Sequence, residues 1–146
     1  MLAPTIQMDL HMIFRVLLAC LLGCIIGWER ERHRHIVSAG IRTYGAIALG
    51  SCVFGIISYI ATDADPTRIA AQVVTGIGFL GGGIIFRQGD YVTGLTTAAT
   101  LWATASIGLA VAYGLYFVSM LITILIFLLL YLPRLNWWKK ISTKAS

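Results

Sequence analysis

Residues Ile69 to Trp102 read IAAQVVTGIGFLGGGIIFRQGDYVTGLTTAATLW, and this stretch decides the fold. A glycine-packed apolar segment is joined to a threonine-rich one through a short polar loop, with almost no charge on either side. A water-soluble protein would have little use for two such segments in tandem. In a bilayer they make sense, because glycine and threonine let helix backbones approach closely where burying leucine against lipid gains nothing. The stretch predicts two tightly packed membrane helices within an all-α bundle.

Composition agrees over the whole chain. Of 146 residues 58% are hydrophobic and 12% charged, with mean hydropathy +0.85 and formal net charge +5. Soluble domains carry roughly 25% charged residues. The length allows one compact domain. The basic residues gather at Arg30, Arg32, Arg34 and Arg42 and again at Arg134, Lys139, Lys140 and Lys144, beside apolar runs. That is a membrane-flanking pattern and not a nucleic-acid footprint. The N-terminal MLAPTIQMDLHM has no basic n-region and no small-residue cleavage site follows, so no cleavable signal peptide is expected.

A membrane helix needs about 20 mostly apolar residues to cross roughly 30 Å of hydrocarbon. Five spans are predicted: Leu10 to Trp28, Ala39 to Ala61, Thr67 to Phe86, Leu95 to Ala112 and Leu115 to Leu132. Asp65 and Pro66 suit the start of the third as cap and first-turn residue. With the loop between the first two spans inside, Arg30, Arg32, Arg34, Arg42, Arg87, Arg134, Lys139, Lys140 and Lys144 face the cytoplasm, and only Arg15 and Arg68 lie outside. The positive-inside rule selects this arrangement. The N-terminus is then outside and the C-terminus inside, with Trp137 and Trp138 as an interfacial anchor. Residues 1–138 form the transmembrane domain and 139–146 a short basic cytoplasmic tail.

Several residue patterns invite chemistry. Gly76 to Gly81 spells GxGxxG, but the dinucleotide fingerprint requires a preceding strand and a solvent-facing helix start. Here it lies inside an apolar span, so Gly76, Gly78, Gly81, Gly82 and Gly83 are read as helix-packing positions. Gly78–Gly82 and Gly23–Gly27 both form GxxxG pairs. Thr96, Thr100 and Thr104 recur every fourth residue, with Gly108 continuing the stripe and Thr97, Gln72 and Thr75 nearby. Such a seam either lines an ion pathway or hydrogen-bonds within the bundle, and the absence of an acid at mid-span favours packing. Glu29, Arg30, Arg42 and Arg87 form a charged rim. Glu29 at the end of the first helix faces an unfavourable dipole, which Arg42 is placed to relieve. The rim is either a structural clamp or a ligand site, and a ligand there would be anionic, such as a lipid phosphate. Cys20, Cys24 and Cys52 lack the spacing of a metal site, and His33 and His35 belong to a solvated basic loop. Asp63 and Asp65 on the outer loop could weakly hold a divalent cation, although capping explains Asp65 more simply. No catalytic constellation is present, and no cofactor, metal or enzyme activity is assigned.

Three segments then carry a family resemblance: GWERERHRHIVSAGIRTYGAIALGS (Gly27 to Ser51), RIAAQVVTGIGFLGGGIIFRQG (Arg68 to Gly89) and GLTTAATLWATASIGLAVAYG (Gly94 to Gly114). In order and spacing the chain resembles the membrane domain of MgtC/SapB proteins. Many members of that family continue into a soluble ACT-like domain, and this chain stops soon after Trp138, so it resembles the short, membrane-only members. The resemblance implies a bacterial inner-membrane protein linked to growth under magnesium limitation and to survival inside host cells. It implies a regulatory protein that modulates another membrane protein, in contact with membrane lipid and able to form a homo-oligomer. The alternative is a transporter or channel for an ion, magnesium among the candidates, or for a small solute. No ATP-hydrolysis motif is present.

Overall fold

The computed structural model describes residues 3–32, 39–61, 65 and 67–134. Within them the chain runs α1 (Ala3–Glu31), α2 (Ile41–Ile60), α3 (Arg68–Gly82), β1 (Phe86–Gln88), β2 (Tyr91–Thr93), α4 (Leu95–Ala112) and α5 (Tyr116–Tyr131), closed by a 3-10 turn at Leu132–Arg134. The bundle is mostly helical, as the sequence predicts. Three helical stretches are long and apolar enough to cross a membrane: Met8–Glu31, Ile41–Ile60 and Leu95–Ala112. α5 is apolar throughout but has 16 residues, and α3 has 15.

The third element departs from expectation. It ends at Gly82 instead of Phe86, because three successive glycines withdraw helix propensity and the chain turns into an antiparallel hairpin. Phe86 pairs with Thr93, Arg87 with Val92 and Gln88 with Tyr91 around a two-residue turn at Gly89–Asp90. Gly89 (φ 60°) supplies the left-handed residue such a turn demands. Gly94 (φ 89°) lets the hairpin close back on the end of α3, where any Cβ would strike the Ile84 carbonyl oxygen. At the start of α3, the Asp65 carboxylate accepts the Thr67 N–H at 2.9 Å and the Thr67 hydroxyl at 2.7 Å. These bonds, the hydroxyl's first, together with Arg68, hold the Asp65 carboxyl below the ordinary aspartate range. Asp63, Pro66, His33, His35, Trp137, Trp138 and the basic tail lie outside the described residues.

α2 and α4 form the centre, with α1 packed on both and α5 and α3 at the flanks. The interior is built from small and hydroxyl-bearing residues: Ala19, Ala48, Ser51, Cys52, Ala105 and Thr104 are buried, around Tyr44, Ile107 and Val111. Bulky apolar residues point outward instead, with Phe117 90% and Phe79 84% exposed. A water-soluble bundle reverses this distribution, whereas helices packing in lipid produce it. Backbones meet where glycine permits. A Cβ on Gly23 would sit 2.5 Å from the Tyr44 carbonyl oxygen, and one on Gly27 2.6 Å from the Ile41 Cα. Gly108 lies against the Ala48 carbonyl in the same way.

Candidate functional site

α1 carries a buried stripe of Ala19, Leu22, Gly23, Ile26, Gly27 and Arg30 at helical spacing, so Arg30 is drawn into the bundle with its apolar neighbours. It is 7% exposed. Its guanidinium donates to the Thr97 hydroxyl of α4 and lies beside the Tyr44 hydroxyl of α2. Tyr44 and Thr100 hydroxyls are 2.6 Å apart. Thr100 donates to the Thr96 carbonyl at 2.9 Å or the Thr97 carbonyl at 3.0 Å. A hydroxyl has one proton, so Tyr44 is the donor to Thr100. Arg30, Tyr44, Thr97 and Thr100 therefore form one buried network joining α1, α2 and α4. Arg30 Nε has no hydrogen-bond partner among the described residues.

The other rim residues divide. Glu29 is buried at 2% exposure, whereas Arg42 and Arg87 are exposed. The expected pairing of Glu29 with Arg42 is thus between a buried and an exposed group, and the buried cation beside Glu29 is Arg30. Arg42 lies off the buried stripe of α2, in line with exposed Ala46 and Leu49. Arg87 is carried out of α3 by the hairpin, where its Nε donates to the Gly89 carbonyl at 3.0 Å. The acid that serves α2 is Glu31, whose carboxylate accepts the Ile41 N–H at 3.0 Å. It satisfies one of the orphan N–H groups of that helix start. Arg32 stacks on Trp28, 4.9 Å from the ring centroid.

A second arginine contact went unread in the sequence. Arg15 donates to the Ala112 carbonyl at 2.7 Å and to the Tyr116 hydroxyl at 3.1 Å. It caps the C-terminal end of α4, where a cation is favoured. Arg15 with Ala112 and Arg30 with Thr97 obey one antiparallel register, about 22 Å apart along α1. The signal was available, since Arg15 precedes Ala19 by four residues on the same stripe.

The threonine seam is a packing feature in this geometry. Thr104, fully buried, donates to the Thr100 carbonyl at 2.7 Å. Ser119 and Thr123 on α5 bond back to Tyr116 and Ser119 in the same manner, and Thr96 is exposed. Of the glycine run, Gly81 is buried with its Cβ direction 3.4 Å from the Ala98 Cβ, and Gly83 ends the helix by donating to the Phe79 carbonyl. At Gly76, Gly78 and Gly82 a Cβ would meet nothing within 4 Å. The Gly78–Gly82 pair therefore makes no close contact among the described residues. Only Ile77 and Gly81 of α3 are buried, Gly81 against Ala98 of α4. An apolar groove of about 570 Å³ separates α3 from α2, with Gly50 and Gln72 among its lining residues. No group of three or more His, Cys, Asp or Glu residues that could hold a metal occurs among the described residues.

A mostly helical bundle with a small-residue interior, an apolar exterior and charges gathered at its ends defines a membrane protein class. Comparison with known proteins narrows the class: the model of the MgtC family matches residues 16–136, and the chain belongs to that family. Protein MgtC of Brucella abortus (strain 2308) is 52% identical over 99 residues, covering 66% of this chain and 40% of the relative. Protein MgtC of Salmonella typhimurium (strain LT2) is 46% identical over 114 residues, 78% of this chain and 48% of the relative. An uncharacterised protein of Haemophilus influenzae is 41% identical over 136 residues, 85% of this chain and 56% of the relative. The chain spans about half the length of the curated relatives it matches. No solved structure matches it.

Proposed function

We propose that this chain is a five-span bacterial inner-membrane protein, N-terminus outside and C-terminus in the cytoplasm. It acts as a non-enzymatic regulator that modulates another membrane protein by direct helix contact. As the family resemblance implies, its role is linked to growth at low magnesium and to survival inside host cells. The observation that carries the reading is the outer face of α3. Ala71, Thr75, Gly78 and Gly82 follow one another at helical spacing, and all four are exposed. The Thr75 hydroxyl is turned back onto the Ala71 carbonyl, so the face is smooth and offers a partner helix close approach. The centre of the bundle speaks against the transport alternative, because small side chains pack closely there and the buried Thr104 hydroxyl bonds its own helix.

Affinity purification of the tagged chain in nanodiscs, followed by mass spectrometry, tests this. A specific membrane protein should co-purify and be lost from Gly78→Leu and Gly82→Leu, whose side chains have room within the chain. Ion flux through the purified chain in proteoliposomes, with no partner captured, would overturn the regulatory reading in favour of transport.

A further inference from the structure

From the groove between α2 and α3 we infer a binding site for one anionic phospholipid, its acyl chain lying in the groove and its phosphate held at the end marked by Arg42 and Arg87. The inference goes beyond the regulatory reading and requires only that the bundle lie in a bilayer.

The groove exists because small residues face each other where two helices would otherwise close. Gly50 of α2 and Gly76 of α3 both line it, and a Cβ on either would meet nothing within 4 Å. Close packing would bring these glycines together, as it does at Gly23 and Gly108. Here they leave an apolar slot that opens laterally into the surroundings of the bundle. Along α2 its lining runs from Thr43 to Phe54, roughly 16 Å of helix, about half the ~30 Å hydrocarbon thickness. That is the reach of one acyl chain in one leaflet. A second apolar hollow of about 660 Å³ shares Thr43, Ile47 and Leu80 with the first and extends it toward Ile84.

Charge decides which lipid. Arg42 is the residue before Thr43, at the end where the groove begins, and Arg87 follows Ile84 by three residues on the hairpin. Both are exposed. Glu31, the exposed acid nearest in the chain to α2, is occupied by the Ile41 N–H, and Asp90 sits at the tip of the hairpin. At the opposite end Arg68 precedes Ile69, but Asp65 lies close enough to feel its charge. The basic end therefore attracts a phosphate and an anionic headgroup, as basic residues near a membrane surface do, and the other end does not.

The test is native mass spectrometry of the full chain in mild detergent with added phosphatidylglycerol or, as the zwitterionic control, phosphatidylcholine. One phosphatidylglycerol per chain should be retained in several-fold excess over phosphatidylcholine. Gly50→Leu and Gly76→Leu, each with an unchanged melting temperature, should lose the bound lipid. Arg42→Gln with Arg87→Gln should keep a bound lipid but bring the two lipids to parity. Should both leucine variants fail to fold, a phosphatidylglycerol carrying a photoreactive acyl chain decides on the unmodified protein. Crosslinks at Ile47 and Leu80 in excess over Phe117 support the site. Even labelling of outward residues, equal retention of both lipids, or retention by a folded Gly76→Leu would overturn it. So would a dimer that Gly76→Leu dissociates, since a second copy would then be the occupant.

Discussion

Arg30 shows how an arginine can be buried in an apolar bundle when neighbouring helices offer it hydroxyls. The guanidinium reaches a hydroxyl on each of two other helices, and the Tyr44 hydroxyl passes the polarity through Thr100 to a backbone carbonyl of α4. Taking a charge to that depth is costly, so the groups that meet it should be strongly interdependent. Replacing Arg30 with Gln or Thr97 with Val should each destabilise the chain by ~1–3 kcal/mol, because a buried hydrogen-bonding partner is lost. The double variant should lose less than the sum, with a coupling of ~0.5–3 kcal/mol, read by thermal shift in detergent. A matching cycle on Glu29→Gln and Arg42→Gln should be additive, given that one residue is buried and the other exposed. Additivity in the first cycle and coupling in the second would return the rim to the pairing that helix-dipole reasoning suggests.

At the scale of elements, glycines sort into two kinds that the sequence spells identically. Gly23 and Gly108 have a neighbouring backbone where a Cβ would go, and Gly78 and Gly82 have open space. Leucine at Gly108 should destabilise the bundle by at least ~1–3 kcal/mol through overpacking. Leucine at Gly78 should shift stability by no more than ~1 kcal/mol, in the stabilising direction, because interior helical glycine costs about that much relative to better helix formers. Melting curves of the two variants side by side decide this, and equal losses would place a neighbour against α3 within the chain. The same contrast explains what was legible beforehand. Helix identity, the tight α4–α5 turn at Tyr113–Gly114 and the close approach at Gly23–Gly27 follow from composition and spacing, which act locally. Which glycine faces a neighbour does not, because it depends on the rotation of α3 against α4. The hairpin was missed because its strands are three residues each and follow an apolar run that reads as continuing helix. Arg30 is already a rim candidate in the sequence, but its burial follows only from extending the stripe Ala19–Leu22–Ile26 by one more turn. The dipole argument for Glu29 drew attention to Arg42 instead.

For the whole molecule, the distribution of cations between the two ends of the bundle bears on how it sits in a membrane. At one end Arg15 is committed to the Ala112 carbonyl and the Tyr116 hydroxyl, and Arg68 lies near Asp65. At the other, Arg30 is committed to Thr97 and Arg87 to the Gly89 carbonyl, while Arg42 is exposed. The positive-inside rule counts the basic residues that flank the spans on each side. The proposed orientation therefore rests on the nine-to-two split of basic residues read from the sequence. In a background with Cys20, Cys24 and Cys52 replaced by alanine, Arg34→Cys should react with a membrane-impermeant maleimide only after the cytoplasmic face is opened. Ala61→Cys, at the far end of α2, should react in intact spheroplasts. Reaction of Arg34→Cys from the periplasmic side would invert the topology. Reaction of both cysteines from the same side would mean that α2 does not cross at all, and the five-span arrangement would fall with it.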